Sequence, residues 1–412
     1  MDGAYRRRAG DMAGAQGARS TSLSGFAGST ALALCSLLAA CSRGPASDGT
    51  RTIRIDRSDV PLSRITAQEL QRFRRGDRVF EAVFREADGL GPLYIRDSCS
   101  ACHREDGRGP GRVGKLVHGV KQTASALPFG STERPYVAAG ASQPVVARAA
   151  EQRVTYRFPP AVFGRGYLDA VADAEIERLA AAAAARPGPV RGRIHRVAAL
   201  GAQATLPTRI GRFGLKARLA SLDEFTAEAF QGDMGLTSPL LPFELANPEG
   251  LHDDRKPGVD VAAETLADAS DYVRLLEIPA RAAFSAEGRA AFESALCSVC
   301  HVPALRTRAD YPVSALAGIE APVYTDFLLH DMGEGLSDGV SDGQAGPREW
   351  RTAPLVGLRF SSAYLHDGRA HDLEAAILAH GEDGSEARAA VDQFRALAPA
   401  AREQLLAFVA AL

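Results

Sequence analysis

The stretch Cys297-Ser-Val-Cys300-His301 has the form C-x-x-C-H, and the pattern occurs again at Cys99-Ser-Ala-Cys102-His103. This pattern is the attachment site of a c-type haem, in which both thiols add to porphyrin vinyl groups and the adjoining imidazole becomes an iron ligand. With 6 Cys and 9 His in 412 residues, two copies are not expected by chance. The sequence therefore predicts two covalently bound c-type haems, with His103 and His301 as iron ligands.

Two other uses of paired cysteines fit this sequence less well. Zinc ribbons usually separate their two Cys pairs by roughly 15 to 20 residues, and zinc needs no His directly after each pair. A thioredoxin-like redox pair needs no such His either, and it is expected near a βαβ pattern that the sequence lacks. The four cysteines beyond residue 41 all belong to the two motifs, so we expect no structural disulfide.

Residues 1–41 have the features of a signal peptide with a lipobox. Arg6-Arg7-Arg8 precedes an apolar run, about 26–40, that is too short to cross a bilayer comfortably. The run ends in Leu38-Ala-Ala-Cys41, which resembles a bacterial lipobox, whose Cys is lipidated. The prediction is an exported protein on the periplasmic side of a bacterial membrane, anchored by a lipid on Cys41. An ordinary signal peptide with incidental cysteines is the alternative.

The rest of the sequence indicates a tether and gives no sign of a further membrane span or of nucleic-acid binding. Residues 42–62 are polar and are predicted to form a tether. No later run reaches the 18 or so apolar residues that a membrane span needs. The balance of 48 basic against 50 acidic residues gives a net charge of −2, and no basic cluster with interleaved aromatic residues occurs. Nucleic acid is therefore not an expected partner.

Helical periodicity and capping signals predict a mainly α protein. The capping box Thr66-Ala-Gln-Glu69 begins a helix that continues to about Phe84, and Ser221-Leu-Asp-Glu224 begins another that ends near Gln231. Further helices are expected at 173–186, 266–277, 285–295, 373–379 and 400–412. Two segments, 104–165 and 245–262, are predicted to be loops. No run of alternating strands is found.

A repeated spacing indicates a duplicated unit. Gly76-x-x-x-Phe80 precedes the first motif, and Gly288-x-x-x-Phe292 precedes the second. This spacing is typical of a cytochrome c unit, in which an N-terminal helix packs against the haem-bearing one. We expect two cytochrome c-like haem domains with long loops, at 63–205 and 281–412. A connecting helical region at 206–280 is predicted to contribute to the N-terminal haem pocket.

The sixth ligand of each iron decides between electron transfer and catalysis. Beyond the two motif histidines, the candidates are Met234, Met332, His118, His195, His252, His330, His366, His371 and His380. Cleavage of a peroxide O–O bond also needs a group that moves a proton from one oxygen to the other. Asp233 and His330 fit this role by residue type.

The chain resembles the bacterial di-haem cytochrome c peroxidase and MauG superfamily in Arg351-Thr-Ala-Pro-Leu355 and Tyr364-Leu-His-Asp-Gly-Arg369. It is more similar to one branch, called di-haem oxidoreductase, putative peroxidase, and also predicted thiol oxidoreductase. That similarity lies in three stretches: Gly211-Arg-Phe-Gly-Leu-Lys216, Gly232-Asp-Met-Gly-Leu-Thr-Ser-Pro239 and Leu329-His-Asp-Met-Gly333. The resemblance covers about residues 70–412.

The resemblance implies that one haem donates electrons and the other meets substrate. Asp233 then takes the place of the peroxidases' catalytic Glu, and His118 lies near the position of their displaceable distal His. Met332 is predicted as the sixth ligand of the C-terminal haem. Two positions differ, since Leu215 or its neighbour replaces the Trp between the haems and Phe225 replaces a Gln. Calcium is a further cofactor by family resemblance only.

Together these features predict an exported di-haem c-type oxidoreductase that reduces peroxide. Electrons from a small redox protein or cytochrome would enter at the haem on His301 and pass to the haem on His103, with Asp233 assisting proton transfer. One alternative is a MauG-like enzyme that oxidises a protein or organic substrate through high-valent haem. Another is a non-enzymatic electron-transfer lipoprotein in which both irons are six-coordinate.

Overall fold

The computed structural model describes residues 60–118, 127–148, 152–200, 207–252 and 256–412. All of them belong to one compact unit, Thr52–Leu412. The signal peptide, Cys41 and nearly all of the tether predicted from the sequence lie outside these ranges. Within these ranges, no helix combines the length and the apolar character that a membrane span requires.

Helices and short strands alternate along the chain. The described residues form nine α-helices: α1 (Ala67–Glu81), α2 (Arg165–Ala170), α3 (Asp173–Ala185), α4 (Leu222–Met234), α5 (Ala263–Leu275), α6 (Ala286–Ser294), α7 (Leu373–Ala379), α8 (Arg388–Ala396) and α9 (Pro399–Ala411). They also form ten strands: β1 (Leu93–Tyr94), β2 (Val113–His118), β3 (Tyr136–Val137), β4 (Gln152–Arg157), β5 (Arg196–Val197), β6 (Arg209–Ile210), β7 (Leu305–Arg306), β8 (Glu320–Ala321), β9 (Leu329–Asp331) and β10 (Glu349–Arg351). The strands pair only in twos, all antiparallel: β1–β3, β2–β4, β5–β6, β7–β8 and β9–β10.

The prediction of a mainly α protein is therefore correct only in part. The seven predicted helices are present as α1, α3, α4, α5, α6, α7 and α9, whereas α2 and α8 were not predicted. Residues 104–165 were wrongly predicted to be loops throughout, because β2 and β4 pair there over six residues each. Gly114 and Lys115 break the apolar pattern of β2, and its partner strand begins only at Gln152, so neither alternation nor a tight turn marks the pair.

α1 begins where the capping box predicted. The Thr66 hydroxyl accepts a hydrogen bond from the Glu69 amide at 3.1 Å, and the Glu69 carboxylate accepts one from the Thr66 amide at 2.7 Å. The two bonds satisfy amide donors that the start of a helix otherwise leaves open. The N-terminus of α1 is thereby fixed before the helix packs on α5.

Two close helix crossings organise the fold, α1 on α5 and α6 on α9. A Cβ on Gly76 would lie 2.0 Å from the carbonyl oxygen of Asp268 in α5. A Cβ on Gly288 would lie 2.5 Å from the carbonyl oxygen of Gln404 in α9. Any larger residue at either glycine would push the helices apart, because real Cβ atoms do not approach oxygen so closely.

The two glycine-to-phenylalanine spacings thus have a common structural role. The ring of Phe80 lies 5.0 Å from that of Tyr272 in α5 and 6.2 Å from the imidazole of His103. Phe292 similarly lies 5.3 Å from Phe408 in α9 and 6.1 Å from Tyr324. In each crossing the partner is a helix that comes later in the chain, α5 for α1 and α9 for α6.

We predict that Gly76→Ala lowers the free energy of unfolding by about 2 kcal/mol, because the new methyl group overpacks the α1–α5 crossing. Gly232→Ala is the matched control, since a Cβ at this position in α4 has no described atom within 4 Å. The control should gain up to about 1 kcal/mol from helix propensity. Chemical denaturation measures both values, and equal stability of the two variants would contradict the role of the crossing.

Candidate functional site

Both C-x-x-C-H motifs fold into the same tight turn. In the first, the carbonyl oxygen of Cys99 accepts hydrogen bonds from the amides of Cys102 at 3.1 Å and His103 at 3.0 Å. In the second, the carbonyl oxygen of Cys297 accepts from the amide of His301 at 3.0 Å. Each turn therefore brings two thiols and one imidazole together within five residues.

The four motif cysteines are free thiols. Burial, reinforced by the negative charge of Asp233, raises the pKa of Cys99 to about 12 and that of Cys102 to about 11. Burial also raises the pKa of Cys297 to about 12. Thiols with such raised pKa values are poor nucleophiles, which argues against a thiol-based redox centre at these three cysteines.

The motif histidines are neutral. Burial lowers the pKa of both His103 and His301 to about 4, with the charge of Arg165 contributing at His103. Nδ1 of His301 lies 3.1 Å from the carbonyl oxygen of Tyr324. A carbonyl only accepts, so Nδ1 carries the proton and Nε2 is left with a free lone pair. Nδ1 of His103 is buried and has no hydrogen-bond partner among the described residues.

These surroundings fit a covalently attached haem. Each motif offers two thiols outside any disulfide beside a neutral imidazole, and at His301 the ring already has the tautomer of a metal ligand. Cys297 borders a hydrophobic cluster that includes Phe292, Tyr324 and Phe408. Cys99 borders a second apolar cluster, built from α4 and α5. A porphyrin needs such apolar neighbours on its faces, and both motifs have them.

Asp233 lies beside the first motif, at the end of α4. Its carbonyl oxygen accepts hydrogen bonds from the amides of Ile95 at 2.6 Å and Arg96 at 3.1 Å, just before the motif. Gly235 ends α4 with a φ of 72°, and a Cβ there would lie 2.3 Å from the Gly91 carbonyl oxygen. Only glycine tolerates both this backbone conformation and this close approach. Asp233, which the resemblance puts in the place of the peroxidases' catalytic Glu, thus lies near the first motif.

The electrostatic surroundings of Asp233 suit a group that transfers protons. Burial raises the pKa of its carboxyl group to about 6, although the positive charges of Lys115, Arg218 and Arg96 oppose this rise. Burial lowers the pKa of Lys115 to about 8, and its Nζ donates a hydrogen bond to Thr132 at 2.5 Å. The site therefore combines an acid that titrates near neutrality with cations that stabilise negative charge.

The remaining predicted ligands are less closely tied to the motifs. Met332 is buried in a small cluster with Leu336 and Trp350. His118 ends β2, and its side chain lies outside the described part of the structure. Phe225 stacks on Phe213 at 6.0 Å and lies in the core rather than over the first motif.

The only tryptophan lies next to the segment where the family resemblance expects one. Leu215 packs against the cluster of Trp350, and Nζ of the fully buried Lys216 lies 3.9 Å from the centre of the Trp350 ring. Lys216 also donates to the carbonyl oxygens of Gly346, Pro347 and Glu349, at 2.7, 3.0 and 2.9 Å. No local pattern indicates this proximity, because Trp350 is more than a hundred positions away.

Trp350 also connects to the first motif through His366. The two rings stack with centroids 4.0 Å apart and an interplanar angle of 13°. The carbonyl oxygen of His366 accepts from the Phe158 amide at 2.8 Å, and that of Leu365 accepts from Arg108. The Tyr364–Arg369 loop therefore contacts the segment that follows the first motif.

Sequence reasoning missed a charged triad beside the second motif. His330 lies 3.9 Å from the sulfur of Cys300, and its ring nitrogens contact the carboxylates of Glu386 at 2.7 Å and Asp326 at 3.0 Å. Burial lowers the pKa of His330, but hydrogen bonds to these groups outweigh burial and raise it well above 6.5. His330 was singled out by residue type, whereas nothing in the spacing of its two acidic partners indicated their role.

The repeated motif turn, its neutral imidazoles and its apolar surroundings define a haem-binding redox protein. The chain belongs to the family described as di-haem oxidoreductase, putative peroxidase, whose sequence profile matches residues 135–412. The match includes the second motif, Asp233 and the Tyr364–Arg369 loop, and it begins after the first motif.

Two further comparisons add little to the family assignment. A structure of hydrazine synthase from Kuenenia stuttgartiensis, pressurised with xenon, aligns with a TM-score of 0.36 and 14% sequence identity. The alignment covers 88% of this chain and 98% of that chain. No curated protein matches the sequence.

Proposed function

We propose that this protein is an exported di-haem c-type oxidoreductase that reduces peroxide with electrons from a small redox protein or cytochrome. The residues that would hold the two haems are Cys99, Cys102 and His103, and Cys297, Cys300 and His301. When bound, haem supplies the redox chemistry that breaks the O–O bond. Membership of the family supports an oxidoreductase. The observation that supports peroxide as the substrate is the position of Asp233 beside the first motif.

Asp233 supplies the proton transfer that peroxide reduction needs. Above about pH 6 its carboxylate is ionised and can take the proton from one peroxide oxygen. The protonated carboxyl group then delivers that proton to the other oxygen, which leaves as water. The complete reaction uses two electrons and two protons and yields two water molecules. Lys115 and Arg218 stabilise the negative charge that passes through this pocket.

The proposed location follows from the first 41 residues. A basic segment, a short apolar run and the lipobox-like Leu38-Ala-Ala-Cys41 support export and a lipid anchor. Export also agrees with C-x-x-C-H motifs, since a c-type haem is attached after the unfolded chain has been exported. Several acyl chains on Cys41 would hold the protein stably at a membrane surface.

The first prediction concerns haem attachment. Wild-type protein from a host competent in cytochrome c maturation should carry two haems that survive denaturation. The double variant Cys99→Ala, Cys102→Ala should carry one, and so should Cys297→Ala, Cys300→Ala. Pyridine haemochrome absorbance and the mass of the denatured chain give the count. Loss of all colour from denatured wild-type protein would overturn the proposed function.

The second prediction concerns Asp233. In the wild type, kcat/KM for peroxide should rise with pH through about 6, because only the ionised carboxylate accepts the proton. Asp233→Asn should retain both haems but lose about 10²- to 10⁴-fold in kcat/KM, together with this pH dependence. Asp223→Asn, at the opposite end of α4, is the matched control and should keep wild-type rates. Unchanged turnover in Asp233→Asn would rule out the proposed role.

The third prediction concerns Cys41. Wild-type protein should fractionate with membranes and incorporate labelled palmitate. Cys41→Ser should remove the label and release the protein into the soluble periplasmic fraction, while Cys35→Ser should behave as wild type. A Cys41→Ser protein that stays labelled would exclude this anchor.

A further inference from the structure

We propose that His380 is the sixth ligand of the iron held by His301, so that two imidazoles bind this iron. The inference rests on the proposed haem attachment at the second motif. It replaces Met332, the ligand predicted from the sequence. It also assigns different tasks to the two irons, because an iron with two protein ligands has no position for peroxide.

The hydrogen bonding of His380 leaves one ring nitrogen available. Nδ1 of His380 lies 2.7 Å from the carbonyl oxygen of Ala376, one turn earlier in α7. As at His301, the carbonyl can only accept, so Nδ1 carries the proton and Nε2 keeps its lone pair. In both His301 and His380, a hydrogen bond from Nδ1 to a backbone carbonyl oxygen therefore orients the ring and sets the tautomer found in iron-binding histidines.

The fold brings His380 to the second motif. α7, which ends at His380, packs on α9, and α9 packs on α6, which leads directly into the motif. Ile377 and Leu378 of α7 belong to the same hydrophobic cluster as Cys297 and Tyr324. The helix that carries His380 and the turn that carries His301 thus border one apolar region.

Other candidates for the sixth ligand contact other groups of the protein. Both ring nitrogens of His195 are engaged, with the Lys216 carbonyl oxygen at 2.7 Å and the Gln344 amide at 3.3 Å. His330 is held by two carboxylates, and His366 lies flat on Trp350. Met332 packs in the Trp350 cluster, separate from the cluster that borders Cys297.

The test is spectroscopic and uses the full-length ferric holoprotein. Electron paramagnetic resonance and near-infrared magnetic circular dichroism should show one low-spin iron with two imidazole ligands in the wild type. His380→Ala should convert that iron to high spin, and added imidazole should restore the low-spin signal. His380→Met should give the charge-transfer band of methionine ligation and a higher reduction potential, as Met/His ligation does in cytochromes c.

Met332→Leu and the exposed-site variant His371→Ala are the matched controls and should leave the spectrum unchanged. Haem content is measured on every variant by pyridine haemochrome. If the second motif carries no haem, the proposed function fails before this inference is reached. If both haems are present and the low-spin signal survives in His380→Ala and His380→Met, or disappears in Met332→Leu, His380 is not the ligand.

Discussion

Contact between helix backbones at two glycines holds the rest of this molecule in place. At Gly76 and Gly288 the helices approach so closely that no side chain fits between them. The phenylalanine one turn later then reaches the motif side of each crossing, where Phe80 meets His103 and Phe292 meets Tyr324. The same arrangement of a helix crossing, a phenylalanine and a C-x-x-C-H motif therefore occurs twice in the chain. The position of each motif imidazole therefore depends on how closely two helix backbones can approach.

The two motifs share a turn but differ in their electrostatic surroundings. The first lies beside Asp233, whose negative charge acts on both of its thiols. The second lies beside His330, which is held by two carboxylates, and shares an apolar cluster with α7, the helix that precedes the proposed ligand His380. An acid that titrates near neutrality suits an iron that exchanges protons with a substrate. A site closed by two imidazoles suits an iron that only accepts and passes on electrons.

Short-range signals in the sequence were sufficient for seven of the nine described helices and for the motifs, because a cap, an apolar period and C-x-x-C-H each lie within a few residues. The resemblance singled out Asp233 as the counterpart of the peroxidases' catalytic Glu, and its role stays a prediction. The β2–β4 pair, the contact of Lys216 with Trp350 and the His330 triad all join residues far apart in the chain, so no local pattern indicates them. The sequence could not single out His380 among seven histidines, because the proposal for it depends on a neighbouring helix and on one carbonyl oxygen.

The first crossing joins parts of the chain that are translated far apart. Arg75 in α1 and Asp268 in α5 form an ion pair across 193 positions. Closing so long a loop is entropically costly and slow, whereas α6 and α9 lie nearer to each other along the chain. The α1–α5 crossing therefore closes only after α5 is available to pack. If haem is attached at Cys99 and Cys102 as proposed, these thiols would stay accessible to the attaching enzymes until that crossing forms.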